Sequence, residues 1–411
     1  MSLLSSLAER VLRDRLAALR GGTVVLRDAG TESRFGPDVG TAVVVEVRDR
    51  RFYPAVVLGG AVGAGEAYAE GWWACDDPTA LVRLLLRDRE ALEGLEAGWT
   101  LPARVAGRLV HRLRRNTRGG SRRNIRAHYD LSNDFFAHVL DDTLTYSCAV
   151  FAHQGQSLRD AQLAKYERIC RLAELGPHHH VLEIGTGWGG FALYAAERYR
   201  CRVTTTTISR EQFALATRRV AEAGLAGRVT VLDADYRDLA GRYDRLVSIE
   251  MIEAVGHEYF PGFFAKCASL LAPDGRMALQ AITIRDDRYD AARREADFIK
   301  RHIFPGGTIP SLAALCQAAS GTDLRVTRAD DLGPHYAETL RRWRDNLRGN
   351  WARLRALGFE ERLLRLWEFY FCYCEGGFAE GYLGDVQLAF ARPGAAAART
   401  LQTAPAEEVA A

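Results

Sequence analysis

No stretch of this chain approaches the ~20 consecutive apolar residues of a transmembrane helix, so any membrane contact is expected to be peripheral. The first residues, MSLLSSLAERVLRDRLAALR, lack the apolar core and small-residue cleavage site of a secretory leader. Their leucines recur at helical spacing between arginines, which predicts an amphipathic helix packed on its own domain or lying at an interface. The eight cysteines (75, 148, 170, 201, 267, 316, 372 and 374) have neither a paired metal-binding spacing nor a disulfide framework. They read as the reduced thiols of a cytoplasmic protein. Acidic residues are missing from one long segment: Arg104 to Arg126 holds nine arginines and no Asp or Glu. In a protein with lipid partners such a run is drawn to anionic head groups, at roughly 1 kcal/mol per basic residue near the surface. The run carries no companion motif of a base-flipping pocket, so nucleic acid is not an expected partner.

What is present is an ordinary globular composition, 48% hydrophobic and 26% charged with a net charge of +3, in a chain of 411 residues that is long enough for two domains. Short apolar runs at TVVLRD, TAVVVEVRD and RRFYPAVVL predict a small antiparallel sheet near the N-terminus, followed by a helical region over about 65–95. The expected division is an α+β unit over 1–103, a basic linker over 104–123 with Gly119-Gly120 at its end, a larger unit over 124–393 and a disordered Ala-rich tail over 394–411. In the larger unit, helical segments alternate with the apolar strands HVLEIG, RVTTTTIS, RVTVLDAD, RLVSIEM and RMALQAIT. That alternation predicts a doubly wound, mostly parallel α/β sheet, Rossmann-like in class.

Residues 181–191, VLEIGTGWGGF, form the most informative segment: an apolar strand carrying Glu183, a turn with four glycines, and a helix start. Glycines let the backbone approach a ligand where a side chain would collide. The turn lacks both the dinucleotide spacing with its acidic residue about 20 positions on and a phosphate-binding lysine. It resembles the first motif of S-adenosylmethionine (SAM) methyltransferases. The three consecutive histidines 178–180 stand just before this strand, where neighbours point to opposite faces and no Cys or carboxylate cluster accompanies them, so no metal is expected.

Further segments resemble, in order, the cyclopropane-fatty-acyl-phospholipid synthase family. They are GEAYAEGWW, NIRAHYDLSNDFFAHVLDDTLTYSCAVF, VTTTTISREQ, DADYRDL, SIEMIEAVGHEYF, FIKRHIFPGGTIPS and PHYAETLRRW. The resemblance covers nearly the whole chain. It implies SAM held by Glu183 of the strand, by Gly185, Gly187, Trp188 and Gly189 at the turn, by Tyr146 and Ser147, by Thr206, Ser209 and Gln212 after the second strand, and by the run Asp235, Tyr236 and Arg237. It implies a methylene transfer to the cis double bond of unsaturated phospholipid acyl chains, by a cytoplasmic enzyme docked on the anionic inner membrane surface; a homodimer is left open.

The same resemblance implies a bound bicarbonate as base, held at Cys148, Glu253, Gln280, Ile282 and Tyr336. Gln280 departs from the family, which has His there, so a group that titrates near neutrality is replaced by one that does not. Ring formation is the expected outcome, with a methylene- or methyl-branched chain as the alternative.

Overall fold

The computed structural model describes residues 3–40, 42–89, 133–295 and 297–397. The arginine run and the expected boundaries at both ends of the linker lie outside these residues, as does most of the Ala-rich tail. Order extends past residue 393 all the same: Pro393–Ala397 is a short helix, and Ala395 is buried.

The N-terminal unit holds four strands, β1 (Val24–Asp28), β2 (Thr31–Phe35), β3 (Val43–Val47) and β4 (Trp73–Cys75), in the order β2-β1-β3-β4. Its sheet is mixed, because β1 and β3 pair in parallel while the outer pairs are antiparallel. The segment RRFYPAVVL is not its third strand. Residues Phe52–Ala69 form a helix, interrupted at Gly60 (φ 54°), and its buried residues fall on several sides. The β-branched Val56 and Val57 suggest a strand, yet burial on several sides removes the polar face by which an amphipathic helix is recognised. Strand β2 escapes a periodicity reading for the opposite reason: TESRF has no buried residue.

The larger unit carries seven strands: β5 (His180–Ile184), β6 (Arg202–Thr207), β7 (Val229–Asp233), β8 (Tyr243–Ile249), β9 (Leu271–Ile284), β10 (Arg325–Asp331) and β11 (Leu383–Ala391). Their order is β10-β11-β9-β8-β5-β6-β7, parallel from β7 through β9, with β11 and β10 antiparallel at one side. This is the doubly wound α/β architecture expected. After β5 the chain winds outward through β6 and β7 and then returns to place β8 on the other flank of β5. The reversal opens a crevice at the carboxyl end of β5, the usual ligand position in such sheets.

The two units share one apolar core. It runs from Leu12 and Leu16 of the first helix (Leu3–Leu16) through Tyr68 and Trp73 to Phe298 and Phe369. Phe369 lies on the buried helix Glu361–Ala379, and its ring stands 5.7 Å from Tyr68 and 5.0 Å from Phe298. Gly65 makes this contact possible: a Cβ there would sit 2.4 Å from the Phe298 ring. Tyr68 also donates to Glu368 at 2.8 Å, so a buried polar pair locks the helix Phe52–Ala69 against the helix Glu361–Ala379.

Candidate active site

The glycine turn directly follows β5. Gly185, Gly187 and Gly189 all have positive φ (106°, 52° and 88°), a region that costs other L-residues roughly 1–2 kcal/mol. The amides of Gly185 and Thr186 both donate to the Thr206 carbonyl at 3.1 Å, which ties the turn to β6. Beneath it, Thr186 and Thr205 share a hydrogen bond of 2.7 Å, and Thr205 donates to buried Glu183 at 2.6 Å. Burial pushes the Glu183 carboxyl up to about 8. The threonines of β6 therefore do more than favour a strand. Thr204 meets His180, Thr206 donates to the Ala234 carbonyl, and Thr207 donates to Gln212.

Most of the expected SAM residues line one cavity: Tyr146, Ser147, Glu183, Gly185, Gly187, Trp188, Thr206, Gln212, Asp235, Tyr236 and Arg237. Two do not. Ser209 caps the helix Arg210–Glu222 by accepting from the Gln212 amide, and Gly189 supplies the left-handed residue before the helix Gly190–Arg198. The residues fit SAM: a glycine-rich turn, a helix N-terminus at the crevice for a carboxylate, and Asp235 braced by Arg237 at 2.6 Å for polar groups. When bound, SAM supplies an electrophilic methyl group.

The second cluster lies at the carboxyl end of β8 and across β9 and β11. Cys148, Gln280 and Tyr336 do converge, but on Glu250. The Glu250 Oε1 accepts from the Cys148 amide at 2.7 Å and from Gln280 Nε2 at 2.7 Å, and its Oε2 accepts from the Tyr336 hydroxyl at 2.5 Å. The five positions thus do not fit the bicarbonate that the resemblance implies. Three of them already serve a carboxylate of the chain itself. The other two pair with each other, the Ile282 amide donating to Glu253 Oε1 at 2.6 Å.

Behind Glu250, Gln280 is fully buried and also donates to Asp385 at 3.0 Å, while its own oxygen accepts from Gln387 at 2.9 Å. Lys165, equally buried, donates to Ser147 at 2.7 Å. Burial pulls its ammonium down to about 8, against the attraction of Glu250 and other anionic groups. Burial, and then repulsion from Glu250, pushes Glu253 up to about 8; Asp385 is raised by burial and by both glutamates. Burial raises Glu250 as well, but its three donors and Lys165 oppose the shift. Glu253 Oε2 is buried with no hydrogen-bond partner among the described residues, and Glu253 lines the cavity.

Glu250, Lys165 and Asp385 were not singled out from the sequence. Glu250 stands in the quoted run SIEMIEAVGHEYF, three positions before Glu253; nothing local says which of the two meets Cys148 and Tyr336. Lys165 falls in an ordinary amphipathic helix, Leu158–Leu172.

One cavity of about 1290 Å³ joins both clusters to the N-terminal unit. Its walls pass from Gly187 and Glu250 along Ile282, Phe304 and Tyr370 to Val56, Val45 and Leu26. It exceeds the roughly 300–1,000 Å³ of an ordinary small-molecule pocket. Its stretch through the N-terminal unit is mostly apolar, with Arg15, Glu66 and Arg89 also on the wall.

Residues 116–388 match the mycolic acid cyclopropane synthetase family. The chain belongs to that family. It is 41% identical over 343 residues to the tuberculostearic acid methyltransferase of Mycobacterium tuberculosis, covering 82% of this chain and 80% of the relative. It is 33% identical over 349 residues to the cyclopropane-fatty-acyl-phospholipid synthase of Escherichia coli, covering 85% and 87%. Among solved structures, a mycolic acid cyclopropane synthase complexed with SAH and CTAB matches with a TM-score of 0.62 and 34% identity, over 66% of this chain and 98% of that one. The protein is a SAM-dependent lipid methyltransferase. Among the described residues no helix is long and apolar enough to cross a membrane.

Proposed function

We propose that this enzyme methylates the cis double bond of unsaturated phospholipid acyl chains and releases a methylene-branched chain. The observation that carries the proposal is the single cavity, with a glycine cradle and buried carboxylates at one end and an apolar hall through the N-terminal unit at the other. An acyl chain lying along it brings its double bond beside Glu250 and Glu253. Tyr146, Tyr370 and Phe304 line the same stretch; their ring faces suit a transient cation, as cation–π attraction requires.

The branched product is supported by the relative named tuberculostearic acid methyltransferase and by Gln280, which cannot titrate. The ring product, which the resemblance alone favours, is supported by the Escherichia coli relative. Membrane docking at an anionic surface is supported by the arginine run and by Leu3, Leu4 and Leu7, which are 91%, 51% and 41% exposed on the first helix. In the test, the protein is incubated with SAM and vesicles of monounsaturated phosphatidylglycerol, and the extracted lipid is read by mass spectrometry and proton NMR. The expected result is a gain of one CH2 with vinylidene protons. High-field ring protons would establish the ring product instead, and an unchanged lipid with no SAH formed would overturn the proposal.

A further inference from the structure

We propose that the Glu250 carboxylate is the base of the reaction, built into the chain in place of a bound bicarbonate. The inference rests on the acyl-methylation reading above and goes beyond it, because it names the group that takes the proton. Three independent donors from three separate segments, the Cys148 amide, the Gln280 amide group and the Tyr336 hydroxyl, end on this one side chain. A bicarbonate held by those donors would have to occupy the space of the Glu250 carboxylate. Both cannot.

The backbone supports the assignment. Glu250 has φ 46°, a left-handed conformation for a non-glycine residue at the end of β8. Such strain costs on the order of 1–3 kcal/mol and persists where the surroundings over-determine it. Here it turns the carboxylate inward: the Glu250 amide donates to the Gln280 carbonyl at 2.8 Å, while its side chain meets the three donors and forms part of the cavity wall. A carboxylate has about four acceptor positions. Oε1 uses two of them and Oε2 uses one, so Oε2 keeps one for a proton.

The step balances without a further reactant. The alkene π pair forms the new C–C bond to the donor methyl as the methyl–sulfur bond breaks, its electron pair remaining on sulfur. Positive charge is left on the second alkene carbon. A hydride shifts to that carbon from the methyl-bearing one, which takes over the positive charge; the methyl group gives a proton to Glu250 Oε2, and the C–H pair becomes the π bond of the C=CH2 branch. Ring closure would use the same proton and the same base, without the hydride shift. Saturation of Oε1 and the Tyr336 bond at Oε2 weaken Glu250 as a nucleophile, which limits its capture by the cation. They also weaken it as a base, and slower deprotonation leaves time for the shift.

The test uses the full chain in two measurements. Turnover with SAM and monounsaturated vesicles is compared in carbonate-free and bicarbonate-supplemented buffer for the wild type, Glu250→Gln and Glu250→Gly. Binding of 13C-bicarbonate is followed separately by NMR, with no lipid present. The wild type should turn over equally in both buffers and bind no bicarbonate. Glu250→Gln should lose about 10²- to 10⁴-fold in rate, the usual range for a lost proton-transfer group, with no rescue, because its amide fills the same space. Glu250→Gly, which relieves the positive φ, should bind bicarbonate and regain part of the rate when it is added. A wild type that binds bicarbonate or needs it for turnover overturns the proposal, as does full turnover by Glu250→Gln. Failure of the methylation reading is distinguishable, since it removes wild-type product in both buffers while the binding measurement still reports on the anion site.

Discussion

The glycine cradle and the Glu250 cluster face the same cavity, but they are built in opposite ways. The cradle comes from one contiguous run, Gly185 to Gly190, in which Gly185, Gly187 and Gly189 adopt positive φ and the amides of Gly185 and Thr186 are tied to the neighbouring strand. The cluster draws Cys148, Glu250, Glu253, Gln280, Tyr336 and Asp385 from five separated segments, and its geometry rests on side-chain hydrogen bonds inside a buried space. A backbone-built site tolerates any side chain that leaves its turn alone. A site of convergent side chains fails one donor at a time, and each loss leaves a buried group uncompensated.

The contrast is broken most severely at Gly187. A Cβ there meets no protein atom within 4 Å, so the fold has room for a side chain at the cost of its positive φ, while the space it would enter is the cavity expected to take the cofactor. Gly187→Leu should abolish measurable SAM binding by calorimetry while the protein stays folded by circular dichroism. Normal SAM affinity in that variant would remove the cradle from the cofactor site.

Next in size is Glu253→Gln, which keeps the shape but removes the titratable carboxyl whose Oε2 lies in the cavity wall with no hydrogen-bond partner among the described residues. Turnover should fall about 10²-fold, as for loss of one proton-holding group at a reacting centre, with SAM affinity unchanged. Tyr336→Phe deletes one donor to Glu250 and should cost roughly 10- to 100-fold, since a hydrogen bond to a charged group is worth about 1.5–3 kcal/mol. If both variants keep full turnover, the cluster is not the reaction centre.

The smallest effect is on stability against pH. Glu253 is raised from 4.5 to about 8 and Glu183 likewise, so the folded state holds protons that the unfolded state releases between those values. Folded stability from these groups is therefore fully present below about 4.5 and is lost as pH rises toward 8. The melting temperature should decline across that window, and Glu253→Gln should remove its share of the decline, leaving that of Glu183. An unchanged slope in the variant would mean that Glu253 is ionised throughout.

The same contrast explains what could be read without coordinates. The alternation of helices and strands from residue 158 onward and the glycine turn are local signals, and the fold carries them. The helix Phe52–Ala69 and strand β2 are not: the first is apolar on several sides and the second is exposed, so neither presents the half-buried pattern that identifies its type. Cys148, Gln280 and Tyr336 were legible as a group through family resemblance. What they hold was not.

By itself the sequence determined the doubly wound sheet and the glycine turn after β5, because periodicity and glycine-rich turns act over a few neighbouring residues; Cys148, Gln280 and Tyr336 were named only through the family resemblance. Only the tertiary structure decided that Glu250 rather than Glu253 receives the three donors, and that the N-terminal sheet extends the cavity instead of closing off a core of its own. Both outcomes depend on which distant side chains share one desolvated space. There an unpaired donor or charge costs kilocalories, and Cys148, Glu250, Gln280 and Tyr336 meet because each would otherwise be buried without a partner.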